Sequence, residues 1–150
     1  MNKEQKKRIR VAGGILLLLY LVLLLYFLFL AEWYGRSGYP AQERHYNLIP
    51  FLEIQRFWRY RQQLGNYAVF LNLAGNVLGF VPFGFFLPLV FKSYRKGLKV
   101  VWMGLFLTVF VEVMQLYFRV GRFDVDDIIL NTGGTILGYM FFRICNFIRR

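Results

Sequence analysis

Val11 to Ala31 is a run of 21 residues without a charged side chain. At ~1.5 Å of rise per residue it reaches ~31 Å as a helix, about one hydrocarbon thickness. Three more long apolar runs follow. The candidate spans are approximately 11–31, 69–91, 98–118 and 127–148; the third is interrupted only by Glu112, and the fourth, beyond Asp127, only by Arg143 near its end. A helix is the open-chain structure that pairs all its backbone groups in lipid. With 57% hydrophobic and 20% aromatic residues, the composition lies outside the soluble globular class. The expectation is a single all-α domain over residues 1–150, an integral membrane bundle of four transmembrane helices.

The basic arm of Lys3, Lys6, Lys7, Arg8 and Arg10 resembles the front of a signal peptide. The apolar run behind it exceeds the ~7–15 residues of such a peptide, and Ala31-Glu32-Trp33 is a poor cleavage site. An uncleaved anchor is expected.

Charge sets the orientation. The amino-terminal arm, the Lys92 to Lys99 connection and the carboxy-terminal end hold 12 of the 19 basic residues and one acid, Glu4. The other side holds seven basic residues and seven acids. Basic residues gather in cytoplasmic loops, so both termini are expected on the cytoplasmic side of the membrane. The net charge of +11 is then a topology signal that needs no nucleic-acid partner. Cys145, the single cysteine, allows no intrachain disulfide and reads as a small apolar residue; His45, the single histidine, reads as a loop residue.

Between the first two spans, Phe51, Ile54 and Trp58 recur at helical spacing with Arg56, Arg59 and Arg61 between them. This predicts an extracytoplasmic amphipathic helix, either in the membrane interface or as a lid over the bundle. Asn47, ahead of Pro50, is expected to cap it. Gly75 with Gly79, and Gly134 with Gly138, offer two small-residue steps for close helix approach.

Polar residues converge at one depth. Asn72 and Asn76 share a face of the second span, Thr108, Glu112, Gln115 and Arg119 form a stripe on the third, and Asp127 and Asn131 begin one on the fourth. With Arg122, Asp124 and Asp126 above them, they would line a pocket in the outer half of the bilayer. A carboxylate in hydrocarbon is costly and marks a candidate site. In one reading Glu112 and Asp127 are candidate catalytic or ligand-gripping groups, and Asp124 with Asp127 can hold a divalent cation. In the other, Asp124 and Asp126 cap a helix, Arg119 or Arg122 neutralises Glu112, and the amides link helices.

The residues Asn47-Leu48-Ile49-Pro50-Phe51, Asn72-x-x-x-Asn76, Pro82-x-Gly84, Glu112-x-x-Gln115 and Arg122-x-Asp124-x-x-Asp127-x-x-x-Asn131, with Gly133, Gly134 and Gly138, run in order over about two thirds of the chain. In these the sequence resembles the VanZ-like family of small bacterial membrane proteins. The resemblance implies a cell-envelope role in Gram-positive bacteria and an association with resistance to the lipoglycopeptide teicoplanin, without an established reaction. The expected partners are membrane lipids and a lipid-linked envelope precursor or lipoglycopeptide, bound or modified in the outer leaflet; no organic cofactor is expected. The competing readings are a noncatalytic accessory protein acting through a partner, and a small proton-coupled exporter with Glu112 as carrier. Twelve basic residues against seven argue against a dual-orientation exporter.

Overall fold

A computed structural model describes residues 2–29 and 46–148; His45 lies outside the described residues, as does most of the connection after the first span. The described elements are α1 (Lys3–Phe29), β1 (Tyr46–Asn47), α2 (Leu52–Arg59), α3 (Arg61–Leu64), α4 (Asn66–Val90), a short 3-10 turn (Lys92–Tyr94), α5 (Gly97–Phe118), β2 (Phe123–Asp124) and α6 (Val125–Ile148). Four stretches are long and apolar enough to cross a membrane: Lys3–Phe29, Asn72–Val90, Gly97–Phe118 and Val125–Ile148. Their outer faces carry exposed Leu18, Trp102, Phe106, Tyr117 and Phe147. Such faces need lipid as their solvent, because a water-soluble monomer rarely exposes apolar surface on this scale. The chain is an all-α, multi-pass membrane protein.

Glycine decides which helices touch most closely. A Cβ placed on Gly84 would lie 2.0 Å from the Thr135 carbonyl oxygen, and on Gly134 or Gly138 it would lie 2.0 Å from the carbonyl oxygens of Val77 and Val81. Backbone therefore rests on backbone along the α4–α6 seam, which only residues without a side chain permit. A Cβ on Gly75 or Gly79 would meet nothing within 4 Å among the described residues, so this step sets no close backbone packing between helices. The reason is angular: at ~100° per residue both lie ~200° around α4 from Val77, away from α6. Gly79 turns to α1, where its carbonyl accepts the Tyr20 hydroxyl at 2.7 Å. Leu17 of α1 joins Phe83, Leu87 and Val100 in the apolar core.

The connections at the other end hold the polar residues. α5 stops where Arg119 turns into the left-handed region (φ 57°), and Val120 N–H donates to the Gln115 carbonyl at 3.1 Å to close the last turn. β1 and β2 then pair in parallel, Tyr46 opposite Phe123 and Asn47 opposite Asp124. This ladder joins residues 77 apart in sequence and pins the entry of α2 to the α5–α6 connection.

Candidate functional site

Asp124 is the hub of the polar end. It precedes α6, and its Oδ1 accepts the Asp126 N–H at 2.9 Å, a capping bond that satisfies one of the unpaired donors in the first turn. The same oxygen accepts the Asn47 side-chain amide at 3.0 Å. Its backbone N–H donates to Glu112 Oε2 at 2.9 Å. Glu112, only 2% exposed, thus secures the α5–α6 connection from the last turns of α5.

Asp126 acts on a different helix from the one it occupies. Its Oδ1 accepts the Phe51 N–H, and its Oδ2 accepts those of Glu53 at 2.8 Å and Ile54 at 3.1 Å. These are the orphan donors at the start of α2. Asn47 accepts only the Ile49 N–H at 3.1 Å and lies in β1, so the cap expected from Asn47 is supplied by Asp126. Asp126 can do this because the α2 entry lies against the first turn of α6. Phe51 there adopts φ 66°, a strained conformation for a bulky side chain, which three bonds to one carboxylate hold in place.

Arg122 spans two elements. One of its amino groups lies 2.8 Å from Glu53 Oε2 and 3.4 Å from Asp124 Oδ2, while Arg56 approaches the same Glu53 oxygen at 3.0 Å. Burial tends to lower the Arg122 pKa, but the Glu53 hydrogen bond and the surrounding carboxylates outweigh it and hold the guanidinium more firmly charged than usual. Burial moves the Asp124 carboxyl the other way, above its ordinary range, and its hydrogen bonds and Arg122 offset this only in part. Neither Arg119 nor Arg122 makes an ion pair with Glu112; Arg119 is exposed and has no ion pair among the described residues.

Deeper, Asn76 of α4 donates its amide to Asp127 Oδ1 at 2.5 Å, and Asn131 donates to Thr108 Oγ1 at 2.8 Å. Gln115 donates to the Leu28 carbonyl at 3.1 Å, tying α5 to the end of α1. Asn72 is half-buried and makes no side-chain hydrogen bond to the described residues. The Asn131 amide is fully buried and only half satisfied. It is 2% exposed, yet its Oδ1 has no hydrogen-bond partner among the described residues, nor has the buried Thr132 Oγ1 beside it in sequence. Exchanging the amide oxygen and nitrogen would only move the unpaired end.

Glu53 escaped the sequence reading. It is the sole acid between residues 46 and 111, and it falls on the Ile54–Phe57 side of α2, which turns inward. A lone acid on the apolar side of an amphipathic helix is the signal that pointed to it. Among the described residues no three His, Cys, Asp or Glu side chains gather as a metal site. A cation on Asp124 and Asp127 would compete with Asn47, Arg122, Asn76 and the Asp126 N–H for the same oxygens.

Four membrane-length helices closed at one end by a buried network of acids, amides and one arginine define a small multi-pass membrane protein with a polar terminus. The profile of the VanZ/LLP1 family matches residues 17–146, and the chain belongs to that family. It is 33% identical over 132 residues to protein VanZ of Enterococcus faecium, an alignment covering 87% of this chain and 73% of that protein. No solved structure matches it significantly. The protein is thus VanZ-like, in a family linked to teicoplanin resistance.

Proposed function

We propose that this protein binds a lipid-linked envelope component in the outer leaflet by its polar headgroup, and that this binding underlies the family's link to teicoplanin resistance. In this reading both termini are cytoplasmic, α2 lies in the outer interface, and the headgroup enters among Asn76, Glu112, Asp127 and Asn131. The single observation that carries it is the unpaired Asn131 Oδ1. A network that serves only to hold helices together satisfies its own buried members, since an orphaned acceptor costs about 1–3 kcal/mol. Asn131 lies ~9 Å below the start of α6, where a donor from a ligand would complete it.

The charge balance names the chemistry of that donor. Glu53, Glu112, Asp124, Asp126 and Asp127 face Arg56 and Arg122, so acceptors outnumber cationic donors. Hydroxyls or an ammonium group suit such a site better than a bare phosphate.

A scaffold reading is favoured for Asp124 and Asp126 by their capping bonds. The test therefore uses residues off those caps. Asn131→Leu and Asp127→Asn should abolish any change in teicoplanin susceptibility that the wild type confers, while protein level in the membrane is unchanged. Full activity in both variants, or activity lost only in step with protein level, would overturn the binding reading.

A further inference from the structure

The exposed surface of residues 46–61 has a composition of its own. Tyr46, Leu48, Ile49, Phe51, Leu52 and Trp58 are exposed apolar residues. The charged side chains beside them are all basic, because the one acid of the segment, Glu53, is turned inward and paired with Arg122 and Arg56. Along α2, Ile54, Gln55, Trp58 and Arg59 line an open groove of about 470 Å³, with Ile54 at its inner edge and Trp58 and Arg59 exposed. Arg61 stacks over the Trp58 ring with its guanidinium 4.9 Å from the ring centroid, and donates to the Trp58 carbonyl at 2.8 Å.

We propose that this groove is a contact site for an anionic phospholipid of the outer leaflet, whose phosphodiester lies against Arg59 and Arg61 while its glycerol and upper acyl carbons lie on Ile54 and Trp58. The inference rests on the interfacial placement of α2 proposed above. Charge complementarity commits it to an anionic lipid: two guanidiniums flank an apolar floor and, among the described residues, no exposed acid opposes them. Arg56 is held by Glu53 and lies over Phe57, which leaves Arg59 and Arg61 as the pair for phosphate. Guanidinium suits this, since it offers several donors in a planar fork and stays charged. Trp58 supplies the amphipathic ring that settles at headgroup depth. The acid-rich network around Glu53, Asp124 and Asp126, in the reading proposed above, has the opposite preference, so the two faces of one short helix would sort ligands by charge.

The experiment uses the full chain with Trp33→Phe and Trp102→Phe, leaving Trp58 as the one tryptophan. The protein is placed in nanodiscs of mixed phosphatidylcholine and phosphatidylglycerol, with either lipid brominated at the upper acyl carbons and present at the same mole fraction. Preferential quenching by brominated phosphatidylglycerol is expected, about fivefold in local enrichment for each arginine engaged, the ratio that corresponds to ~1 kcal/mol per basic residue at an anionic surface. Arg59→Gln with Arg61→Gln should abolish the preference while leaving quenching by brominated phosphatidylcholine in place. Equal quenching by both lipids in the parent protein would overturn the lipid site and spare the interfacial placement. Quenching by neither would overturn both.

Discussion

Asp126 stands in the first turn of α6 and accepts the backbone N–H of Glu53 at 2.8 Å, 73 residues earlier in the chain. One carboxylate, 1% exposed, thus serves as the amino-terminal cap of a helix in another part of the molecule. The α2 entry has no local side-chain cap, and its strained Phe51 backbone depends on this anchor.

Removing the anchor should free α2 without dissolving the bundle. In Asp126→Ala, three backbone donors lose their acceptor; lost caps cost about 0.5–2 kcal/mol, and buried unpaired donors add to that. Amide hydrogen exchange at residues 52–59 should rise at least tenfold while exchange in α4 and α6 stays near wild type. Asp126→Asn, which keeps one acceptor oxygen, should fall between the two. Unchanged exchange in Asp126→Ala would remove Asp126 as the cap.

Arg122 and Glu53 should behave as a coupled pair. Arg122→Gln leaves the largely buried Glu53 with only Arg56, and partial solvent access at Arg122 keeps the expected loss to about 1–3 kcal/mol, below that of a fully buried pair. Glu53→Gln alone should also destabilise. In the double variant the second change should cost less than it does alone, with a coupling of roughly 0.5–3 kcal/mol in thermal unfolding in detergent. Additive effects would mean that the 2.8 Å approach carries no energy.

The pH response follows from Asp124. Burial raises its folded pKa above the ordinary 3.8. The unfolded chain then releases this proton at lower pH than the folded one, so Asp124 lowers folded stability as pH rises through the window that opens near 3.8. Asp124→Asn keeps an acceptor for Asn47 and the Asp126 N–H but cannot ionise. Its unfolding temperature should fall less between pH 4 and 7 than the wild type's, and identical slopes would contradict the assigned direction.

Two glycine steps identical in spacing should give opposite outcomes. Gly138→Ala places a methyl 2.0 Å from the Val81 carbonyl oxygen, so α4 and α6 must separate and stability should drop by about 1–3 kcal/mol or more. Gly75→Ala meets nothing within 4 Å and should be neutral or slightly stabilising, since alanine is the better helix former. Thermal unfolding of the two single variants decides it.

That pair also shows what the sequence could and could not reveal. Spacing alone identified both glycine steps, and hydropathy identified the four long helices, because lipid imposes length and apolarity on each helix independently. Which face of α4 meets α6 is a tertiary fact, and so Gly75–Gly79 and Gly134–Gly138 looked alike. Near the polar end, Asn76 and Asp127 were grouped correctly as neighbours because both lie near the same end of facing spans. The partners of Asp126 and Glu53 were not legible, since a cap and an ion pair reached across more than sixty residues leave no local pattern. Asn47 was assigned the role that local rules favour for an asparagine before a helix, and the β1–β2 ladder reassigned it.

The proposed binding site depends on the sidedness of the bundle. The connection Lys92 to Lys99 carries four basic residues and no acid, whereas the α5–α6 connection and the first turn of α6 carry Arg119 and Arg122 against Asp124, Asp126 and Asp127. Positive charge gathers on the cytoplasmic side, so the polar network should face outward. Ser93 and Arg119 are both exposed and lie at opposite ends of α5. In a Cys145→Ser background, Arg119→Cys should react with an impermeant thiol reagent in intact cells, and Ser93→Cys should react only after lysis. The reverse pattern would place Asp127, Asn131 and α2 on the cytoplasmic side and end the proposal of an outer-leaflet ligand. Labelling of both sites in intact cells would instead show mixed insertion, which is the behaviour expected of a dual-orientation exporter.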